Sequence, residues 1–221
     1  EKLYKLPNSF LCYESKTDAN ISKEIPYEKN KFITFGSFNN LNKINGTTLK
    51  LWSKILLLNQ NFRLMLKGNN CKSNDIKNKI KKKLIDLGVC QTQLIFKERN
   101  ENKVDHLETY NEIDVALDTY PYCGATTTFE SIWMGVPVIT LCGKKHASRV
   151  SNSILKNLSL NEFVANSENE YIQIANNQSQ NSKKLIFLKN NLRSILLKSK
   201  LCNYTEFTKN IEEAYRYFLK N

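Results

Sequence analysis

Three consecutive threonines, Thr126, Thr127 and Thr128, follow Gly124 and precede Glu130 in the stretch DTYPYCGATTTFE, residues 118 to 130. Placed between an apolar run and an amphipathic one, these residue types suit an anion. The apolar run is Val115, Ala116 and Leu117, a short strand; Pro121 fixes the turn that follows, and Gly124 is expected to bend the backbone at positive φ without a Cβ penalty. The threonines then open a helix, offering hydroxyls and unpaired first-turn N–H groups at the end where the helix dipole favours negative charge. A diphosphate fits that description. A Thr-capped helix with no ligand is the alternative that the segment alone leaves open. Cys123, in the same turn, is expected to be a packed thiol and not a nucleophile.

The elements that must position this turn follow from periodicity. Phe32 to Phe35 reads as a buried strand stopping at Gly36, followed by the loop SFNNLNKING and a helix capped by Thr47, with Leu49, Trp52, Ile55 and Leu56 on its apolar face. A strand from Phe62 to Leu66, closed by Lys67 and Gly68, precedes a helix from about Ser73 to Leu87 that Gly88 stops. Leu94 to Phe96 is a third strand, residues 103 to 111 hold a short helix, and Asp114 to Leu117 is a fourth strand. After the threonine helix, ending at Gly135, Val136 to Leu141 is a fifth strand; Gly143 to His146 lead into a helix ending near Asn157. Residues from about Ser167 onward are helical, and Trp52 and Trp133 fall on core faces.

This alternation specifies an α/β fold: a Rossmann-like parallel sheet with helices on both faces and a helical C-terminus. In such sheets ligands bind outside the carboxyl ends of the strands. Loops 36 to 46, 67 to 72, 97 to 106, 119 to 128 and 142 to 146 are therefore expected to converge, bringing Ser37, Asn39, Asn40 and Lys43 together with Lys67, Arg99, Lys103, His106, the threonines, Lys144, Lys145 and His146. Cations around a helix N-terminus indicate a nucleoside diphosphate. The absence of GxGxxG and GxxxxGK[ST] disfavours a dinucleotide oxidoreductase and a P-loop NTPase, and a sugar nucleotide fits better. Tyr120 and Tyr122 would either stack on a base or pack the turn.

The bulk numbers agree. A chain of 221 residues with 41% hydrophobic content buries a sizeable core. Its net charge of +12 would suit a polyanion, but the lysines of KNKIKKK, residues 77 to 83, alternate with Ile76, Ile80, Leu84 and Leu87 at helical spacing, so they read as a solvated face and no nucleic-acid partner is expected. No apolar run approaches the roughly 18 residues of a bilayer span, so no membrane partner is expected. The first residues, EKLYKLPNSF, lack a signal layout, and the expected location is the cytoplasm. The six cysteines include no CxxC pair, so reduced thiols are expected and no metal or cofactor.

Five spaced segments resemble one family. ITFGSFNNLNKIN at 33 to 45, LWSKIL at 51 to 56, LMLKG at 64 to 68, HLETYNEIDVALDTYPYCGATTTFESIWMGVPVITL at 106 to 141 and ASRVSNSIL at 147 to 155 are similar, in order, to the C-terminal half of the catalytic region of the O-GlcNAc transferase and SPINDLY glycosyltransferases. Ala125, where the animal enzyme type has histidine, makes the turn more like the SPINDLY and bacterial branch. The resemblance implies the C-terminal lobe of a GT-B glycosyltransferase performing inverting, metal-independent transfer to Ser or Thr hydroxyls of a protein or peptide acceptor.

By motif position, the resemblance places Asn40 and Lys43 at the donor, Lys43 against the diphosphate as leaving-group stabiliser. It places Thr126 and Thr127 at the phosphates, His106 and, through a poorly aligned loop, Lys103 near the base or ribose, and Glu130 on the ribose hydroxyls. The donor would be UDP-GlcNAc or GDP-fucose. Family members carry tetratricopeptide helices and an N-terminal lobe upstream, so residues 1 to 30 are expected as an irregular lead-in, 31 to 166 as the nucleotide-sugar lobe, and 167 to 221 as helices packing on it and on the missing lobe. The acceptor base is expected outside this chain, leaving it inactive alone. A non-catalytic nucleotide-binding or interaction module, and a GT-B transferase acting on a small molecule, lipid or glycan, remain alternatives.

Overall fold

The computed structural model describes residues 3–15, 17–68 and 74–220. Six strands, β1 (Ile33–Ser37), β2 (Phe62–Gly68), β3 (Leu94–Glu98), β4 (Val115–Leu117), β5 (Val138–Leu141) and β6 (Val164–Ala165), form one parallel sheet in the order β3-β2-β1-β4-β5-β6. The register runs from Ile33 opposite Phe62 to Ser37 opposite Leu66, and Phe35 lies opposite Val115. That order places a topological switch point between β1 and β4, where the chain leaves to opposite sides and opens a crevice.

Helices α1 (Pro26–Asn30), α2 (Gly46–Leu57), α3 (Asn74–Asp86), α4 (Lys103–Glu108), α5 (Thr126–Trp133), α6 (Val150–Asn157), α7 (Glu168–Ser179), α8 (Ser182–Lys198) and α9 (Tyr204–Lys220) accompany the sheet. Every residue of β1, β4 and β5 is buried, as expected of strands covered on both faces. Trp52, Ile55 and Leu56 on α2 are buried to within 1% of their surface. Full burial of an aliphatic side chain of this kind contributes about 1.5–3 kcal/mol. Trp133 is also core, and on α3 Ile80 and Leu84 are buried while Lys79, Lys82 and Lys83 face solvent. No helix among the described residues is long and apolar enough to cross a membrane.

Several expected boundaries shift for identifiable reasons. The cap of α2 is Asn45, not Thr47: the Asn45 side chain accepts from Thr48 N at 3.0 Å and donates to Tyr120 O at 2.8 Å. Strand β1 continues through Gly36 to Ser37 because Gly36 packs against Ile113, where a Cβ would lie 2.5 Å from the Ile113 side chain. Lys67 and Gly68 belong to β2 instead of closing it. Strand β5 begins at Val138, after Pro137, and β6 is a two-residue strand too short to leave a periodic signal. Ser73 and Cys71, and the loop residues 69 to 72, lie outside the described residues.

The lead-in is irregular until α1, and it packs tightly. Tyr13 stacks on Phe129 with ring centroids 4.5 Å apart and planes 6° from parallel, and its N–H donates to Leu201 O at 2.8 Å. Asp114, before β4, accepts from Tyr27 N and Thr34 N, tying α1 to β1; burial pushes its carboxyl up to about 6. Helix α7 lies on α2 and β5, and α8 lies on α5. Gly135, at φ 75°, ends the α5 segment where a Cβ would stand 2.4 Å from Lys189 O on α8, so only glycine permits both the bend and the approach. On α9, Tyr204, Tyr215 and Phe218 are exposed and Phe207 is half-buried.

Candidate functional site

A cavity of about 430 Å³ opens at the carboxyl edge of the sheet over the switch point, lined by Phe38, Asn39, Asn40, Lys43, Lys67, Gly68, Arg99, His106, Tyr122, Ala125, Thr126, Thr127 and Glu130. The loops after β1, β3 and β4 thus converge with the end of β2, as the alternation requires. The centre of the construction is Asp118, fully buried at the end of β4. Its Oδ1 accepts from Thr119 N at 2.9 Å, Gly124 N at 2.8 Å and Asn39 Nδ2 at 3.2 Å, and its Oδ2 accepts from Thr140 Oγ1 at 2.8 Å. Burial raises the Asp118 carboxyl, and donors from Ser151, Thr140, Gly124 and Thr119 oppose that shift. Behind it, Tyr171 OH donates to Asp118 O at 3.0 Å and receives Trp52 Nε1 at 3.3 Å, which anchors the turn in the core.

The turn is built for close approach. Gly124 does not adopt positive φ, contrary to expectation. Its absent side chain serves a different need: a Cβ there would lie 2.6 Å from Thr127 Oγ1 and 2.7 Å from Thr128 Oγ1. The N-cap of α5 is Ala125, with no side-chain cap, so the threonines do not cap the helix and its first N–H groups are not covered by a side chain. This removes the Thr-capped helix as an explanation of the segment. The peptide between Tyr120 and Pro121 is cis.

Cationic groups face this end. Lys43 Nζ donates to Cys123 O at 3.0 Å and lies 4.1 Å from the centre of the exposed Tyr122 ring. Lys67 is 1% exposed, and its Nζ donates to Thr109 Oγ1 at 2.7 Å and His106 O at 3.1 Å. Burial lowers its ammonium to about 8, with Lys97 and Arg99 acting the same way and Glu112 and Glu130 opposing. At the other end His106 Nε2 lies 3.3 Å from Glu130 Oε2, and Tyr110 OH is 3.5 Å from the same oxygen. An uncapped helix end, two lysines, an arginine and a carboxylate–histidine pair can hold a diphosphate at one end and hydroxyl groups at the other.

The profile of glycosyl transferase family 41 matches residues 16–211. This chain belongs to that family. It is 40% identical over 216 residues, 98% of its length, to a protein of Oryza sativa subsp. japonica named probable UDP-N-acetylglucosamine–peptide N-acetylglucosaminyltransferase SPINDLY. It is 34% identical over 144 residues, 65% of its length and 12% of the relative's, to the UDP-N-acetylglucosamine–peptide N-acetylglucosaminyltransferase of Caenorhabditis elegans. A lysine-to-methionine mutant of Thermobaculum terrenum O-GlcNAc transferase superposes with a TM-score of 0.88 at 35% identity, covering 98% of this chain and 41% of that one. The family 41 fold here is the Rossmann-like lobe of the GT-B architecture, and the likeness to SPINDLY extends over nearly the whole chain. The chain spans 23% of the length of its rice relative.

Within this family 41 lobe, the expected site residues separate into three groups. Asn40, Lys43, Lys67, His106, Thr126, Thr127 and Glu130 line the cavity, with Arg99. Gly124 and Thr128 lie beneath it; Thr128 is 2% exposed and its hydroxyl is 2.9 Å from Ser151 Oγ. Lys103 is exposed at the start of α4 and is not among the lining residues. The fifth loop does not join the cavity: His146 packs on Phe10 at 4.9 Å, and Lys144 and Lys145 are exposed elsewhere. Cys123 is a buried thiol donating to Ala147 O, and burial raises it. Asp118 and Asn39 emerge as the frame of the site. The signal for Asp118 was its place at the end of an apolar strand, where a charge has to be buried.

Proposed function

We propose that this chain is the donor-binding lobe of an inverting, metal-independent glycosyltransferase that moves a sugar from UDP-GlcNAc or GDP-fucose to Ser or Thr hydroxyls of a protein acceptor in the cytoplasm. The observation that carries this reading is the uncapped N-terminus of α5 facing Lys43 across the switch-point cavity. Departure of the nucleoside diphosphate builds negative charge on its oxygens, and fixed cations and N–H dipoles stabilise that charge more in the transition state than in the ground state. Lys43 is the group placed for this role. Its ammonium, steered by Cys123 O and the Tyr122 ring, has further N–H donors to offer a phosphate.

Glu130, held by His106, accepts hydroxyl hydrogens of the ribose in this reading, and Lys67 and Arg99 complete the positive field. The acceptor side and its general base belong to a partner lobe upstream, with tetratricopeptide helices beyond it. Calorimetric titration of the chain with UDP, UDP-GlcNAc, GDP and GDP-fucose tests the proposal. One base pair of ligands should bind and raise the melting temperature, and Lys43→Ala should remove the response. A chain that answers to none of the four is not a donor lobe.

A further inference from the structure

The lead-in runs back along the last helix. Tyr4 packs on Tyr217 and Phe218 with ring centroids 5.2 and 5.8 Å apart, Asn8 Nδ2 donates to Glu206 Oε1 at 2.9 Å, and Tyr13 N donates to Leu201 O at 2.8 Å, so the two stretches are antiparallel. The last of these bonds joins two particular peptide groups, the one linking Cys12 to Tyr13 and the one linking Leu201 to Cys202. Both are trans. In a trans peptide the Cα before the nitrogen lies on the N–H side and the Cα after the carbonyl lies on the oxygen side, so each cysteine Cα sits on the edge that carries the bond. Standard bond lengths then put the two Cα atoms about 5–7 Å apart, a span that a disulfide bridges.

Both thiols are free and half-buried, and Cys202 lines a surface cavity of about 400 Å³. Burial raises both, Cys202 to about 11, and Cys12 adds to the Cys202 shift as a thiolate close by does. Other cysteines are engaged elsewhere: Cys123 donates to Ala147 O, Cys142 receives Asn152 Nδ2, and exposed Cys90 lies against Thr92. We infer that Cys12 and Cys202 form a redox pair, closed by a low-molecular-weight disulfide such as oxidised glutathione, and that the bond staples the lead-in to the C-terminal helix. Cys12, having lost its proton, attacks one sulfur of the oxidant and expels a thiolate; Cys202, losing its proton in turn, attacks the Cys12 sulfur of the mixed disulfide and expels the second. The two protons end on the two expelled thiolates, so two protein thiols become one disulfide and the oxidant becomes two thiols. In a reducing compartment the pair stays open, and a shift to oxidant closes it. Of the 17 residues of α9 Ala214 alone is buried, so little apolar burial holds this helix and a covalent bond beside its start changes its attachment.

The test equilibrates the folded chain, well below its melting temperature, across a series of reduced-to-oxidised glutathione ratios, followed by alkylation, digestion and mass mapping. At the oxidising end two of the six thiols should be lost together, and the peptides carrying Cys12 and Cys202 should appear joined. The melting temperature should rise by about 5–10 °C and fall back when dithiothreitol is added. Cys12→Ser and Cys202→Ala should each abolish the joined peptide and the rise, whereas Cys90→Ser should keep both. Mapping of the wild-type chain decides the pairing even where a variant fails to fold. Cys12 and Cys202 that stay as thiols at the oxidising end, carry glutathione separately, or pair with other cysteines would overturn the inference. So would joined peptides with an unchanged or lower melting temperature, because the bond would then staple nothing.

Discussion

The turn after β4 and the loop after β5 leave neighbouring parallel strands at the same edge of the sheet, and both combine a tightly packed glycine with polar side chains. By charge alone the second is the better anion site, since it carries Lys144, Lys145 and His146 while the first carries no cation. The cavity nevertheless forms against the first. Two differences account for it. The β4 turn borders the switch point, where β1 and β4 diverge. It is also locked from beneath by Asp118 and leads into an uncapped helix, whereas the β5 loop passes into a short 3-10 turn, His146–Ser148, whose Ser148 hydroxyl closes on Lys145 O. Fixed backbone donors at a crevice count for more than mobile charge beside it.

The sharpest way to break this comparison is to fill both glycines. In Gly124→Ala the new Cβ would press on Thr127 and Thr128 Oγ1, and nucleoside diphosphate affinity should fall by at least about tenfold in protein that still folds. In Gly143→Ala it would press on Ser148, at 2.3 Å from Oγ, yet the loop lies off the cavity, so the melting temperature should drop while the affinity of the folded fraction is kept. Titration calorimetry beside a thermal melt separates the two.

Next in size is the frame. Asp118→Ala leaves two backbone N–H groups, an amide and a hydroxyl without their acceptor, at an expected stability loss of about 3 kcal/mol in urea denaturation. Under the β5 loop the closing hydroxyl, that of Ser148, donates to the Lys145 carbonyl and not to a carboxylate. The lysines come third. Lys43→Ala should weaken nucleoside diphosphate binding about tenfold or more, as for loss of a charge-assisted contact, while Lys144→Ala and Lys145→Ala should stay within about twofold.

The smallest effect is on pH. The buried Lys67 ammonium titrates near 8, with Lys97, Arg99, Glu112 and Glu130 as its charged neighbours. Anion affinity should therefore fall a few-fold as pH rises from about 7 to about 9, and Lys67→Met should flatten that profile. For stability the sign is opposite. The folded value lies below the unfolded 10.5, so the folded state holds fewer protons between about 8 and 10.5, and Lys67 adds stability as pH climbs through that window.

The alternation of apolar strands and amphipathic helices was legible at every major element, because a buried parallel strand such as Ile33–Ser37 and a one-sided helix such as α2 impose their periods on the chain. That Lys43, Lys67, His106, Thr126, Thr127 and Glu130 would line one cavity was also legible, from their places in an ordered set of motifs at the carboxyl edge of the sheet. Asn45 in place of Thr47 was not, since the choice between adjacent caps turned on the distant Tyr120 carbonyl that Asn45 also reaches.

What the amino-acid order determined by itself is the layered α/β architecture, the edge that holds the site and the kinship with family 41, because these depend on periodicity and on motif succession along the chain. Which of the described loops meet, why Gly124 has no room for a side chain, and which way the Thr127 and Thr128 hydroxyls point were decided by the tertiary structure alone. Those properties depend on atoms brought together from β1, β4, β5 and α6, and a hydrogen bond acquires its direction only when every donor around a shared acceptor is in place.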